Sequence, residues 1–148
     1  MNKGTYTYDY PRPAVTADCV VFSNDSDGLS VLLIERANEP FKGCWAFPGG
    51  FMDMEENAED CAKRELKEET GLEIPNMSQL GAFTDVNRDP RGRTVSIAYY
   101  AVIEKFEVNG SDDAAQARWF PIDSIPPLAF DHDKILRMAL EQIKKGMI

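Results

Sequence analysis

The 148-residue sequence is poor in the groups on which much enzyme chemistry depends. It holds one histidine, His132, which leaves little for a histidine-activated nucleophile. Its three cysteines, Cys19, Cys44 and Cys61, are odd in number and lack metal-type spacing. Cys19 falls in a strand pattern and Cys61 in a helical one, so buried thiols and a reducing, cytoplasmic setting are expected. No apolar run approaches ~18 residues, and no basic segment followed by an apolar one opens the chain. A membrane association or leader is therefore not expected. Positive charge is scarce as well: 16 Lys and Arg stand against 25 Asp and Glu, a net charge of −9. That balance argues against a nucleic-acid-binding surface. It also means that a site for an anionic substrate must rely on bound metal and local arginines. Repeats, low-complexity tracts and linkers are missing too. One domain over residues 1–148 is expected, opened by a polar, tyrosine-rich arm at 1–12.

Acid is plentiful, and it is placed where a helix tolerates it least. The apolar pattern gives a helix over Ala58–Thr70, with Asn57 as N-cap and Gly71 ending it in the left-handed region. Glu65, Glu68 and Glu69 then share one face, and like charges at that spacing cost ~0.2–0.5 kcal/mol per pair. Glu68 and Glu69 also sit at the negative end of the helix dipole. Arg64 can reach Glu68 and offset part of this. Ala58, Ala62 and Leu66 point the other way and should pack the helix onto a sheet. Three glutamates alone would read as a solvated face. Clustered oxygen donors without Cys or His would equally suit a hard cation, Mg²⁺ or Mn²⁺.

The surrounding residues decide between these readings. Gly50, Glu56, Arg64, Glu65, Leu66, Glu68, Glu69, Gly71 and Leu72 match the pattern G-x5-E-x7-R-E-U-x-E-E-x-G-U, with U apolar, at every fixed position. From average residue usage the chance of such a match is on the order of 10⁻⁸. The chain thus resembles the Nudix hydrolases. The resemblance implies an α/β/α sandwich with a mixed, curved sheet. It also implies that Glu65 and Glu69 bind the metal directly, with Glu68 close by and Glu56 reaching in from the loop through water. Gly49 and Gly50 let the backbone come close, so a Gly50 carbonyl can join the coordination. Within the catalytic set of Glu65, Glu68 and Arg64, Glu65 is the first candidate for general base, and Arg64 is an orienting partner.

Around this helix, strands are expected at 14–22 and 29–35, joined by a hairpin at 24–28, and at 45–47, 80–86, 93–103 and 117–120. A terminal amphipathic helix follows Asp131, with Ile135, Met138, Ala139 and Ile143 inward. Trp45, Phe47, Tyr99 and Tyr100 can stack a base, although aromatics in strands are more often core. Of these, Phe47 is kept as a substrate-binding candidate, together with Gly49.

A second set of residues bears on substrate. Asp85 to Arg93, continuing to Tyr99, and Leu128-Ala129-Phe130-Asp131-His132 resemble ADP-ribose pyrophosphatases and NrtR-type regulators. Asp89-Pro90-Arg91-Gly92 has the residues of a type I turn. Arg88 and Arg91 on that turn are the candidate phosphate contacts. Asp131 and His132 are read as a helix cap. Three functions follow: an ADP-ribose pyrophosphatase yielding AMP and ribose 5-phosphate, a MutT-like triphosphatase, or an ADP-ribose-sensing module without catalysis. The complete glutamate set, and the lack of a basic winged-helix stretch in this sequence, favour an enzyme. Related ADP-ribose enzymes are commonly dimers, so a homodimer is expected as well.

Overall fold

A computed structural model describes residues 4–106, 108 and 114–146, with the side chains of 114 and 115 outside the description. Residues 4–13 are exposed and carry no regular element, and residues 1–3 lie outside the described residues. Then come β1 (Ala14–Asp25), β2 (Gly28–Arg36), β3 (Trp45–Ala46), β4 (Gly49–Phe51) and α1 (Ala58–Thr70). They are followed by β5 (Ser78–Phe83), β6 (Thr94–Ile103), β7 (Ala114–Pro121), a 3₁₀ turn at Ile122–Ser124, and α2 (His132–Gly146).

The seven strands form one mixed sheet. β1 is its spine, parallel to β6 along residues 14 to 23. Its other edge is shared: β4 pairs with Thr16 to Asp18, and β2 with Phe22 to Asp25. Beyond that hairpin β2 leaves β1 and runs antiparallel to β7. Alternation along β1 explains the layers. Val20 and Phe22 pack with Ile135, Leu136, Ala139 and Ile143 of α2, whereas Ala17, Cys19 and Val21 pack with Cys61, Ala62 and Leu66 of α1. Successive side chains of a strand face opposite sides, so the two helices cover opposite faces. This is the expected sandwich.

Several boundaries and one core position differ from expectation. β5 starts two residues earlier and stops at Phe83, because residues 84–93 form turns. β7 is longer than residues 117–120, extended by its pairing to β2. Met138 is 41% exposed, and Leu136 takes the inward place. The buried stripe of α2 runs His132, Ile135, Leu136, Ala139 and Ile143, and at 100° per residue Met138 lies roughly a third of a turn from its centre.

Both ends of α1 follow their residues. Asn57 is extended, and its side chain accepts the Asp60 N–H at 2.8 Å. Gly71 has φ 81° and donates to the Lys67 carbonyl at 2.9 Å. A Cβ at Gly71 would meet nothing within 4 Å, so any penalty for a side chain there is conformational. Gly71→Ala should cost about 1 kcal/mol and lower Tm by ~2–4 °C, with Gly71→Val worse. Thermal unfolding of the three proteins checks the cap, and an unchanged Tm for the valine variant would refute it.

Candidate active site

Where β2 diverges from β1 a cavity of about 370 Å³ opens. Thr16 and Asp18 of β1, Arg36 of β2, Gly49 to Phe51 of β4 and Glu65 and Glu69 of α1 line it. Arg88, Asp89, Arg91, Phe130 and His132 complete its polar and aromatic wall. Three expected metal contributors, Gly50, Glu65 and Glu69, therefore share one space with four expected substrate contacts, Phe47, Gly49, Arg88 and Arg91. Glu56 and Glu68 lie outside that lining.

Arg64 accounts for the division among the acids. Its guanidinium meets Glu56 in a two-point pair at 2.7 and 3.0 Å, Glu65 at 2.9 Å, Glu68 at 3.2 Å and the Phe51 carbonyl at 3.2 Å. Hydrogen bonds from Arg64 hold the Glu56 carboxyl down at about 2, helped by the Asp53 N–H. Glu65 shifts the opposite way, because its burial outweighs the attraction of Arg64. A carboxylate raised in this manner is a stronger base than a solvated one.

The glycines of β4 sit hard against these acids. A Cβ on Gly50 would lie 2.5 Å from the Glu65 carboxyl carbon, and one on Gly49 would strike Asp18. The Gly49 N–H donates to Glu69 at 2.8 Å, which fixes that buried carboxylate at the cavity wall. Among the described residues, no three Asp, Glu, His or Cys side chains stand grouped as a ready-made metal cage.

The turn carrying the arginines forms as its residues direct. Gly92 N–H donates to the Asp89 carbonyl at 3.4 Å, and the Asp89 carboxylate accepts the Arg91 N–H at 2.9 Å. Burial would raise the Asp89 carboxyl, but bonds from the Arg91 side chain and backbone hold it below its usual value. The two arginines differ. Arg91 is 40% exposed in its side chain and rests over Phe51 at 4.9 Å, while Arg88 is 3% exposed and forms a two-point pair with Asp131 at 2.6 and 2.9 Å. Arg88 thus lines the cavity with its guanidinium committed to a partner.

The tail of that pairing changes the reading of Asp131 and His132. Asp131 does open α2, its carbonyl accepting the Lys134 and Ile135 N–H, but its carboxylate serves Arg88, and His132 is a buried wall of the cavity. Its Nδ1 accepts the Phe47 N–H at 3.1 Å and its ring stacks on Phe47 at 5.0 Å. Burial holds its pKa down, so the imidazole is neutral, with its remaining hydrogen on Nε2, 3.9 Å from Asp18. Asp18 in turn accepts a short hydrogen bond from Ser96. Phe47 itself is 2% exposed and Tyr99 6%, in opposite core layers.

Residues 12–139 match the NUDIX domain. The chain belongs to the Nudix hydrolase family. It is 43% identical over 129 residues to a Methanocaldococcus jannaschii protein described as ADP-ribose pyrophosphatase, covering 86% of this chain and 73% of that one. It is 38% identical over 140 residues to the "ADPR responsive transcriptional repressor NtrR" of Acinetobacter baylyi, covering 91% of this chain but only 56% of the repressor. Among solved structures, the NUDIX domain of Shewanella oneidensis NrtR complexed with ADP ribose superposes with a TM-score of 0.86 at 33% identity, covering 92% and 94% of the two chains.

Asp18 and Arg36 enter the Nudix cavity without having been singled out from sequence, and Phe130 and His132 enter it from the 128–132 stretch, which sequence tied to substrate only by resemblance. Of the first two, Asp18 carried a usable signal, a charge inside an otherwise apolar strand. Two outcomes test the charge network. Glu56→Gln should cost about 1–2 kcal/mol at pH 7 after solvent screening. The depressed Glu56 pKa stabilises the fold above about 4.5 and loses its effect as pH falls toward 2. The Tm gap to wild type in chelator should therefore close on acidification; a gap independent of pH would contradict the pair. Arg88→Ala should leave Asp131 without its partner and cost ~2–4 kcal/mol, and adding Asp131→Asn should recover part of that loss. An unchanged Tm with a raised KM would instead return Arg88 to the substrate.

Proposed function

We propose that the protein hydrolyses the diphosphate of ADP-ribose to AMP and ribose 5-phosphate with the help of Mg²⁺ or Mn²⁺. The observation that carries this reading is one cavity holding Glu65 and Glu69 on one side and Arg88 and Arg91 on another. The relatives described above support the choice of ADP-ribose over a nucleoside triphosphate.

The residues fit a divalent cation. Glu65 and Glu69 offer hard oxygen donors, and side chains at Gly49 and Gly50 would fill the space against Asp18 and Glu65. Glu65, Glu69 and the Gly50 carbonyl would hold the ion, with Glu56 and Glu68 as outer acids paired to Arg64. Once bound, such an ion neutralises phosphate charge and makes a coordinated water more acidic. The chain's own residues do the rest. Glu65 takes the proton of the attacking water. Arg64 keeps Glu65 turned into the site at 2.9 Å. Gly49 N–H holds Glu69 in place, and Arg91 meets the anionic oxygens. Water oxygen joins one phosphorus, the bridging P–O bond breaks, and each product leaves with one phosphate. No inorganic phosphate is released.

A panel of ADP-ribose, NADH, diadenosine polyphosphates and deoxynucleoside triphosphates, each with and without EDTA, tests the proposal. ADP-ribose should be cleaved at the highest kcat/KM, and EDTA should abolish turnover. In ¹⁸O-water, mass spectrometry should find the label in one product only. Pyrophosphate released from a deoxynucleoside triphosphate with ADP-ribose untouched would move the protein to the MutT-like reading. Tight ADP-ribose binding without turnover would make it a sensor.

A further inference from the structure

Phe130 combines three properties that rarely coincide. It lines the cavity, it is a bulky residue with φ 53°, and two arginines lie against its ring. The Arg36 and Arg91 guanidinium carbons stand 5.0 and 5.3 Å from the ring centre, and Phe41 meets it edge-on at 4.9 Å. A large L-residue avoids the left-handed region unless its neighbours over-determine it. Here they do. Ala129 N–H donates to the Trp45 carbonyl at 2.8 Å, Asp131 is gripped by Arg88, and His132 receives the Phe47 N–H. The backbone on both sides is anchored to β3, to the segment just after it and to the arginine turn, and the strained residue between them presents its ring to the cavity.

The arginines reach that ring from separate elements. Arg36 ends β2, where its Nε donates to the Pro40 carbonyl at 2.7 Å. Arg91 comes from the turn after β5, with Asp89 at 2.8 Å and Phe51 beneath it. Both line the same cavity as Glu65 and Glu69. The flat, electron-rich face of an aromatic ring attracts guanidinium and restricts its orientation without neutralising its charge.

We infer that Phe130 is a positioning residue: its strained backbone sets the ring so that Arg36 and Arg91 converge as a two-guanidinium clamp on the diphosphate of the substrate. This rests on the diphosphate reading given above and adds Arg36 and Phe130 to it. Arg36 becomes a specificity residue, because one phosphate needs one such contact whereas a diphosphate can use two.

The series Phe130→Leu, Phe130→Tyr, Phe130→Asn and Arg36→Ala tests it, together with Phe130→Leu in an Arg36→Ala/Arg91→Ala background. KM and kcat for ADP-ribose, calorimetric Kd in EDTA, inhibition by AMP, and Tm are read for each. Phe130→Leu should raise KM about 3- to 30-fold with kcat little changed, the range expected for lost cation–π contacts. Phe130→Tyr should restore wild-type KM. Phe130→Asn tolerates the left-handed backbone, so it should keep Tm while raising KM. Arg36→Ala should weaken ADP-ribose more than AMP. In the arginine-free background Phe130→Leu should have no further effect, since it acts through those groups. A wild-type KM for Phe130→Leu would overturn the inference. So would an undiminished effect without the arginines, which would mean that the ring touches substrate itself. If the wild type ignores ADP-ribose but cleaves another diphosphate, the proposed function fails, and the same series on that substrate still decides the role of Phe130.

Discussion

The guanidinium of Arg64 is the contact on which the site depends. It lies among Glu56, Glu65, Glu68 and the Phe51 carbonyl, and so joins α1 to β4 and to the loop between them. Without it the acid face of α1 would be a set of like charges at the wrong end of a helix dipole. Each such repulsion costs only ~0.2–0.5 kcal/mol, whereas a charge-assisted hydrogen bond contributes ~1.5–3 kcal/mol. One arginine therefore outweighs the local penalties, and the helix can keep its carboxylates together. The same contacts fix how close Gly50 comes to Glu65, a spacing that leaves no room for a side chain.

The helix and its caps were legible because their logic is local. Asn57 caps three residues on, Gly71 closes on Lys67 four residues back, and Arg64 reaches Glu56, Glu65 and Glu68 within eight positions, so spacing along the chain converts directly into geometry. The hairpin between β1 and β2 was legible for the same reason. The other half of the cavity was not. Phe47 meets His132 across 85 positions, and Ser96 meets Asp18 across 78. Those contacts require the parallel pairing of β1 with β6 and the docking of α2, neither of which periodicity specifies. Even so, the alternation that buries Val20 and Phe22 toward α2 puts Asp18 on that same side. A charge at an inward strand position and a histidine on an inward helix stripe, both buried, mark where the chain departs from a plain core.

The turn after β5 illustrates how one local motif can yield two different roles. Its residues sufficed to define the bend at Asp89 and Gly92, and they placed Arg88 and Arg91 near the acids. They did not separate the two arginines. That difference comes from tertiary structure: Asp131 arrives with α2 and takes Arg88 into a nearly buried pair, while Arg91 keeps a partner only two residues away and stays half-open to the cavity. Arg88 ties the turn to the start of α2 and so helps to fix Phe130 and His132.

This arrangement also bears on how a chain of net charge −9 could receive an anion. Arg88 and Arg91 each face a carboxylate, so each pair adds little net positive field of its own. Asp18, Glu65 and Glu69 line the same cavity and add further acid. On the proposed function, the missing positive charge is supplied by a cation at Glu65 and Glu69. The arginines then have the narrower role of orienting an anion by the direction of their hydrogen bonds, because their charge is already largely balanced. That division assigns attraction to a separable ion and geometry to the protein. It explains why so much of the structure, from the strained Phe130 backbone to the Asp89 turn, goes into holding guanidinium groups still.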